Sequence, residues 1–331
     1  MHHRLSAARG FKKLLVATAI SAGLLSSACA ASWPSQAVTI VVPFSPGGTT
    51  DVVARLIGQK LSELWGQSVV IDNKLGAGGN IGTGIVAQSP PNGYTILMAS
   101  GSIFTVNPHL YKTLPFNVEK DFTPITNVAA GPMVVVTSNK VKAKTLQELL
   151  DFAKKHPKQL NLGSAGLGSQ VHMAGENFSY AGNIEMTHVP YRGEAAAYTD
   201  LMAGQIDVVV GNIGAVSSLV GSGRIHALAV TSKERAPMLP DVPTVAESGI
   251  PGFENYGWFG FIAPRGTPPN VIKKIRDDTV KVLAMPDIKK RLADQGMEPG
   301  GETPEEFSKS IKEESKRWAK IIADRKITIS N

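Results

Sequence analysis

The sequence predicts an α/β fold of two lobes. Short β-branched runs at residues 38–42, 69–71, 95–98, 133–137, 206–210 and 227–231 are mostly separated by stretches of helical periodicity, the alternation that gives sheets of parallel strands flanked by helices. About 300 residues remain once an N-terminal leader is set aside, enough for two domains. Two junctions of the same kind, each a strand end, a glycine loop and a helix start, lie at residues 45–51 and 163–172, far apart in the chain. Two such junctions suggest one guest held between two lobes.

The leader comprises residues 1–30. Its only charges are Arg4, Arg9, Lys12 and Lys13, followed by an apolar run over 14–25 and a small-residue site at Ala28, Cys29 and Ala30, which is the pattern of a signal peptide. The apolar run is too short to span a membrane as a stable helix. Cys29 also permits a lipoprotein anchor. Because Ser26 stands where such signals favour a branched apolar residue, plain cleavage before Ala31 is the expectation. Cys29 is the sole cysteine, so no intramolecular disulfide forms and stability must come from a core. The net charge of +7 loses four positives with the leader. No basic cluster stands out, and the Lys and Arg of residues 305–325 alternate with Glu, so no nucleic-acid partner is implied.

Along the chain, strand 38–42 runs into Gly47 and Gly48, which open a helix carrying Val53, Leu56, Ile57, Leu61 and Leu64 on one side, with Arg55, Gln59, Lys60 and Glu63 left for solvent. Free N–H groups and the positive end of the helix dipole favour an anion there, and the glycines let it approach the backbone. A P-loop would follow its glycines with lysine, whereas Thr49 and Thr50 follow here, so the guest is a carboxylate and not a nucleotide. Asp51 would repel such a guest and is read as a cap for loop N–H groups. The glycines of residues 75–84 fail the dinucleotide spacing, since the third would fall at Ile81. Capping boxes at Thr145/Glu148 and Thr303/Glu306 start two further helices, the first of which stops at Pro157.

In the second junction Ser169 caps a helix whose first turn carries His172, pointing either into a cleft or into the core. His172 and Glu176 have a metal-like spacing but no third ligand nearby, so no metal is expected. Residues 188–193 end another strand and bring Arg192 beside a cleft loop, where contact with a ligand carboxylate and an ordinary surface role both stand open. Gly211 and Asn212 supply a backbone donor and an amide after strand 206–210, and Trp258 and Phe259 read as core. The Pro- and Gly-rich residues 123–132 and 237–251 are the places for crossings between lobes. No nucleophile elbow, zinc-binding H-E-x-x-H, P-loop or mature-chain cysteine is found, so an enzyme is not expected.

Taken in order, VVPFSPGGTTD (41–51), GAGGNIG (76–82), DFTP (121–124), SAGLGSQVH (164–172), VPYRG (189–193), ALAVTS (227–232), LPDVPTVAE (239–247) and WFGFIAP (258–264) resemble the substrate-binding proteins of tripartite tricarboxylate transporters, the Bug or TctC-type receptors. The resemblance implies a type II, Venus-flytrap periplasmic binding protein. Each lobe would be a mostly parallel sheet flanked by helices. Domain 1 would be discontinuous, residues 32–132 and 251–331, with domain 2 at 133–250. It implies a monomer without cofactor that hands a small organic di- or tricarboxylate, aliphatic or aromatic, to inner-membrane permease subunits. Matching positions imply ligand contact from Phe44, Gly47, Gly48, Thr49, Ser100, Ser102, Ser164, Ala165, Ser169 and Asn212. Thr50, Gly101, Gly168, His172, Tyr191, Arg192 and Gly211 join them as candidates.

Two departures matter. Gly211 stands where the family often has Asp, and Arg192 where it often has Lys. Losing that Asp removes an acceptor for a ligand amine and leaves room for a ring, so acids without an ammonium are expected. Two rivals stay open: a receptor that docks onto a sensor kinase, and a periplasmic enzyme using His172 as acid or base.

Overall fold

The computed structural model describes residues 33–325 and 327–328. The expected signal peptide and cleavage site, with Cys29, lie outside them.

The first half of the architecture is built from β1 (Val38–Val42), β2 (Val69–Asn73) and β3 (Thr95–Ser100), joined by α1 (Thr49–Trp65) and α2 (Asn80–Ala87). β1 lies between β2 and β3 and runs parallel to both, as strands joined by crossover helices do. α1 begins where Gly47 takes the left-handed φ of 80° that the turn out of β1 requires. It ends at Gly66, also left-handed, whose N–H caps Ser62 O. Val53, Leu56, Ile57 and Leu61 are buried as the periodicity predicts. Leu64, on the same face but in the last turn, is 44% exposed.

Two short helices follow β3, α3 (Gly101–Thr105) and α4 (Asn107–Leu110), and then the 17-residue strand β4 (Phe122–Ser138). The second half comprises α5 (Leu146–Lys155), β5 (Asn161–Ser164), α6 (Gln170–Ala181), β6 (Thr187–Pro190), α7 (Glu194–Ala203), β7 (Val208–Asn212), α8 (Ile213–Gly221) and β8 (Ile225–Val230). The chain returns through β9 (Tyr256–Pro264) and finishes with α9 (Pro269–Leu283), α10 (Pro286–Ala293), β10 (Glu298–Pro299) and α11 (Pro304–Arg325). Both expected capping boxes form: Thr145 Oγ1 accepts from Glu148 N, and Thr303 and Glu306 bond reciprocally.

β4 ties the halves together. Residues 122–132 pair with β9, whereas Met133 onward pairs with β7 and β8, so the strand changes partners between Pro132 and Met133. Residues 123–132, read from the sequence as a place for a crossing between lobes, are strand, and the change of partners falls at their end. Register shifts between Pro124 and Thr126 and between Asn127 and Ala129 leave Ile125 and Val128 as extra residues opposite β9.

The sheets are also mixed, which corrects the expectation of mostly parallel ones. Strands joined through helices pair in parallel (β1 with β2 and β3, β5 with β6 and β7), while β4 and β9 run antiparallel to their neighbours. Each half has its own apolar core. Val41, Leu97, Phe104, Phe122, Ile262 and Phe307 form one, and Val134, Val136, Leu149, Leu162, Phe178 and Val209 belong to the other. The fold is thus α/β and two-lobed.

Candidate functional site

A cavity of about 30 Å3 lies where the two halves meet, lined by Phe44, Ser45, Gly48, Thr49, Thr50, Ser100 and Phe259 from one and by Ala165, Ser169, Gln170, Val171, Glu194 and Asn212 from the other. A wider opening of about 390 Å3 shares Phe44 and Ala165 with it and is bordered by Tyr191, Arg192 and the backbone of residues 76–79. The halves touch beside this gap. Tyr111 Oη donates to Leu167 O at 2.7 Å, and Trp258 N and Ser100 Oγ both donate to Gln170 Oε1.

The first glycine loop is organised from within by Asp51. Its carboxylate accepts from Gly47 N at 2.9 Å, Arg55 Nε at 2.8 Å and Asn73 Nδ2 at 2.9 Å. Burial works against the charge. The bonds from Arg55, Gly47 and Asn73 outweigh it and hold the Asp51 carboxyl below the usual range. Asp51 is therefore the loop cap that its position suggested. One consequence corrects the donor set: the Gly47 amide is committed to Asp51, and Gly48 N donates to Ser45 O at 3.3 Å, so of these three consecutive amides Thr49 N is the one turned to the gap.

What Thr49 N meets is a carboxylate of the chain itself. Glu194, first residue of α7 and only 6% exposed, accepts from Thr49 N at 2.5 Å and from the Thr49 hydroxyl through Oε1. Its Oε2 accepts from Asn212 Nδ2 at 2.9 Å, with the Tyr198 hydroxyl at 3.4 Å. Burial and then the Glu194 charge push the Tyr198 hydroxyl well above its ordinary value, so it stays a donor. Gln170 Nε2, on the same cavity wall, is buried without a hydrogen-bond partner.

Sequence reasoning missed Glu194 and Gln170. An acidic residue in the first turn of a helix reads as ordinary dipole complementarity, and only the preceding cleft motif at residues 189–193 hints otherwise. Glu194 also overturns the argument from Gly211, because it returns an acidic acceptor to the cleft. Nor does Gly211 leave room for a ring: a Cβ there would lie 2.0 Å from the Tyr198 hydroxyl oxygen.

Of the candidates named from the sequence, Phe44, Gly48, Thr49, Thr50, Ser100, Ala165, Ser169 and Asn212 line the cavity, while Tyr191 and Arg192 border the wider opening. Others support the loops from behind. Ser164 Oγ lies 2.6 Å from His188 Nε2, His172 Nδ1 accepts from Gly168 N at 3.1 Å, and the two imidazoles stack with centroids 3.9 Å apart. Burial holds both rings neutral, at about 3 for His172, where neighbouring His188 adds to the effect, and about 4 for His188. Gly101 packs on the Trp258 indole, Ser102 Oγ is buried without a partner, and Gly168 packs against Asn107; none of the three lines the cavity. Trp258 packs edge-on to Phe307 beside the first core, and Phe259, itself core, also reaches the cavity wall. Among the described residues no group of three or more His, Cys, Asp or Glu gathers as a metal site.

Residues 53–327 match the model of the tripartite tricarboxylate transporter family receptor, TctC. The chain belongs to this family. The receptor is 35% identical over 92% of its length, and 94% of the relative's, to Protein BugT of Bordetella pertussis. Among solved structures it is similar to R. palustris Rpa4515 with adipate (37% identity, TM-score 0.85, covering 88% of this chain and 97% of that one). It is also similar to MatC from Rhodopseudomonas palustris with bound malate (32% identity, TM-score 0.84, covering 88% and 100%). No helix among the receptor's described residues is long and apolar enough to cross a membrane.

Proposed function

We propose that this chain is a periplasmic solute receptor that closes two lobes on a small organic di- or tricarboxylate and presents it to the permease subunits of a tripartite transporter. The observation that carries the reading is the convergence of donors from both halves on one buried point: Thr49 N and Oγ1 from one side, Asn212 Nδ2 from the other. Such a set, all donors, suits a carboxylate. Each charged bond contributes about 1.5–3 kcal/mol, so three or four supply much of the roughly 8–12 kcal/mol of micromolar to nanomolar capture. The adipate and malate bound by the two relatives are acids of this class.

In this reading the amide of Gln170 and the backbone of the second glycine loop complete the contacts, and Arg192 at the opening faces a distal carboxylate. Where the sequence places the return crossing between lobes at residue 251, this reading places it at Tyr256, the start of β9. Phe253 packs in the second core, and Asn255 N donates to Thr231 O. Ligand touching both lobes favours the closed form, which gives a permease a shape to recognise. The mechanism is binding and release, without chemistry on the ligand.

The test is calorimetric titration of the mature chain with a panel of C4–C8 dicarboxylates and citrate, each incubation also assayed for conversion of the acid. Stoichiometric binding of at least one acid without turnover is expected. Turnover, or failure of every acid to bind, would contradict the reading.

A further inference from the structure

Taking the carboxylate-receptor reading as its basis, we propose that Glu194 is a tethered competitor: its carboxylate occupies the ligand's anion site, latches the lobes together, and must be displaced by an incoming acid. The bonds themselves make the case. Thr49 N, the Thr49 hydroxyl and Asn212 Nδ2 come from opposite halves, and all three end on the one Glu194 carboxylate. Main-chain and amide donors of this sort are what a ligand carboxylate would engage. With Glu194 in place the cavity holds about 30 Å3, room for a water or two and not for a dicarboxylate.

The surroundings fit a built-in position and not a chance rotamer. Gly193, φ 130°, brings α7 so close to the first loop that a Cβ there would lie 1.9 Å from Ser45 Oγ, and this approach is what lets the Glu194 side chain reach Thr49. Gly211 makes space for the Tyr198 hydroxyl behind Glu194, where a larger residue would collide. Among the described residues no basic side chain is bonded to the Glu194 carboxylate, whose partners are neutral donors. A second carboxylate on the same donors would be repelled at close range in this buried site, so ligand and Glu194 exclude each other.

The binding-competent fraction is then the fraction with Glu194 released, and the apparent Kd is weakened by that fraction. If the latch holds about nine molecules in ten, removing it tightens binding about tenfold.

The experiment compares wild type, Glu194→Ala and Glu194→Gln, dialysed free of ligand, in two ways. Small-angle X-ray scattering without ligand reads closure: wild type is expected compact, and Glu194→Ala expanded. Calorimetry with adipate and with malate reads affinity. Glu194→Ala is expected to tighten Kd about tenfold, with Glu194→Gln, which keeps the shape but not the charge, falling between. A wild type as expanded as Glu194→Ala would overturn the proposal whether or not either acid binds. Unchanged or weaker binding in the variants would overturn it too, and would make Glu194 a direct ligand contact, especially if aspartate bound to wild type alone. Should neither acid nor any other dicarboxylate bind any form, the carboxylate reading fails while the scattering result still decides the latch.

Discussion

Thr49→Val removes one hydroxyl, adds no charge and keeps the branched shape of a residue that is 4% exposed at the start of α1. Thr49 N still donates, so one of the three close donors to the anion is lost, the others being that amide and Asn212 Nδ2. A hydrogen bond to a charged oxygen contributes about 1.5–3 kcal/mol, which corresponds to a Kd weakened about 10- to 150-fold. In the wild-type background the loss is partly hidden, because Glu194 uses the same hydroxyl and its latch loosens as well. The measurement therefore belongs in the Glu194→Ala background, by calorimetry with the tightest-binding dicarboxylate and with melting temperature as the check on folding. A cycle with Asn212→Ala then reports whether donors from opposite lobes act on one ligand group. A folded Thr49→Val, Glu194→Ala protein whose Kd stays within about twofold of Glu194→Ala would refute the claim that the ligand's carboxylate sits on this donor set.

Three further outcomes follow from the same geometry. Gly193→Ala places a Cβ 1.9 Å from Ser45 Oγ at φ 130°, so melting temperature should fall by the equivalent of about 1–3 kcal/mol; adding Ser45→Gly removes the collision but not the φ strain and should recover only part of that loss. At Gly48 a Cβ has 3.4 Å to Ser45 O and 3.7 Å to Glu194 Oε1, so Gly48→Ala should bind within about tenfold of wild type by calorimetry, whereas the second branch of Gly48→Val should abolish measurable binding. The His172–His188 stack is neutral when folded, with values near 3 and 4 against 6.5 unfolded, so the unfolded chain binds more protons below 6.5. Stability should thus fall as pH drops from 6.5 toward 4, by a few kcal/mol at pH 5 in urea titrations, and replacing both histidines with Asn should flatten that slope.

Local physics made much of this protein legible. The strand, glycine pair and amphipathic helix of residues 38–65 announce themselves through periodicity and turn chemistry, and the charge of Asp51 alone marks it as a cap. Thr145, Ser169 and Thr303 cap their helices as their spacing predicts. What stayed hidden is set by contacts distant in sequence. The first part of β4 reads only as a crossing segment because Pro124, Gly131 and Pro132 break its pattern, and pairing with β9, over a hundred residues later, reveals the strand. Glu194 is equally opaque. Its partners Thr49 and Asn212 lie 145 and 18 residues away, and nothing local distinguishes it from a solvated acid at a helix start. His172 stood open between cleft and core until its stacking on His188 placed it behind the second loop.

The most direct test of the account is a crystal structure of the mature protein saturated with the dicarboxylate it binds most tightly. The account predicts a ligand carboxylate within hydrogen-bond distance of Thr49 N and Asn212 Nδ2, with the Glu194 side chain turned out of that site. A ligand bound elsewhere, or bound in the gap while Glu194 keeps both partners, would contradict it.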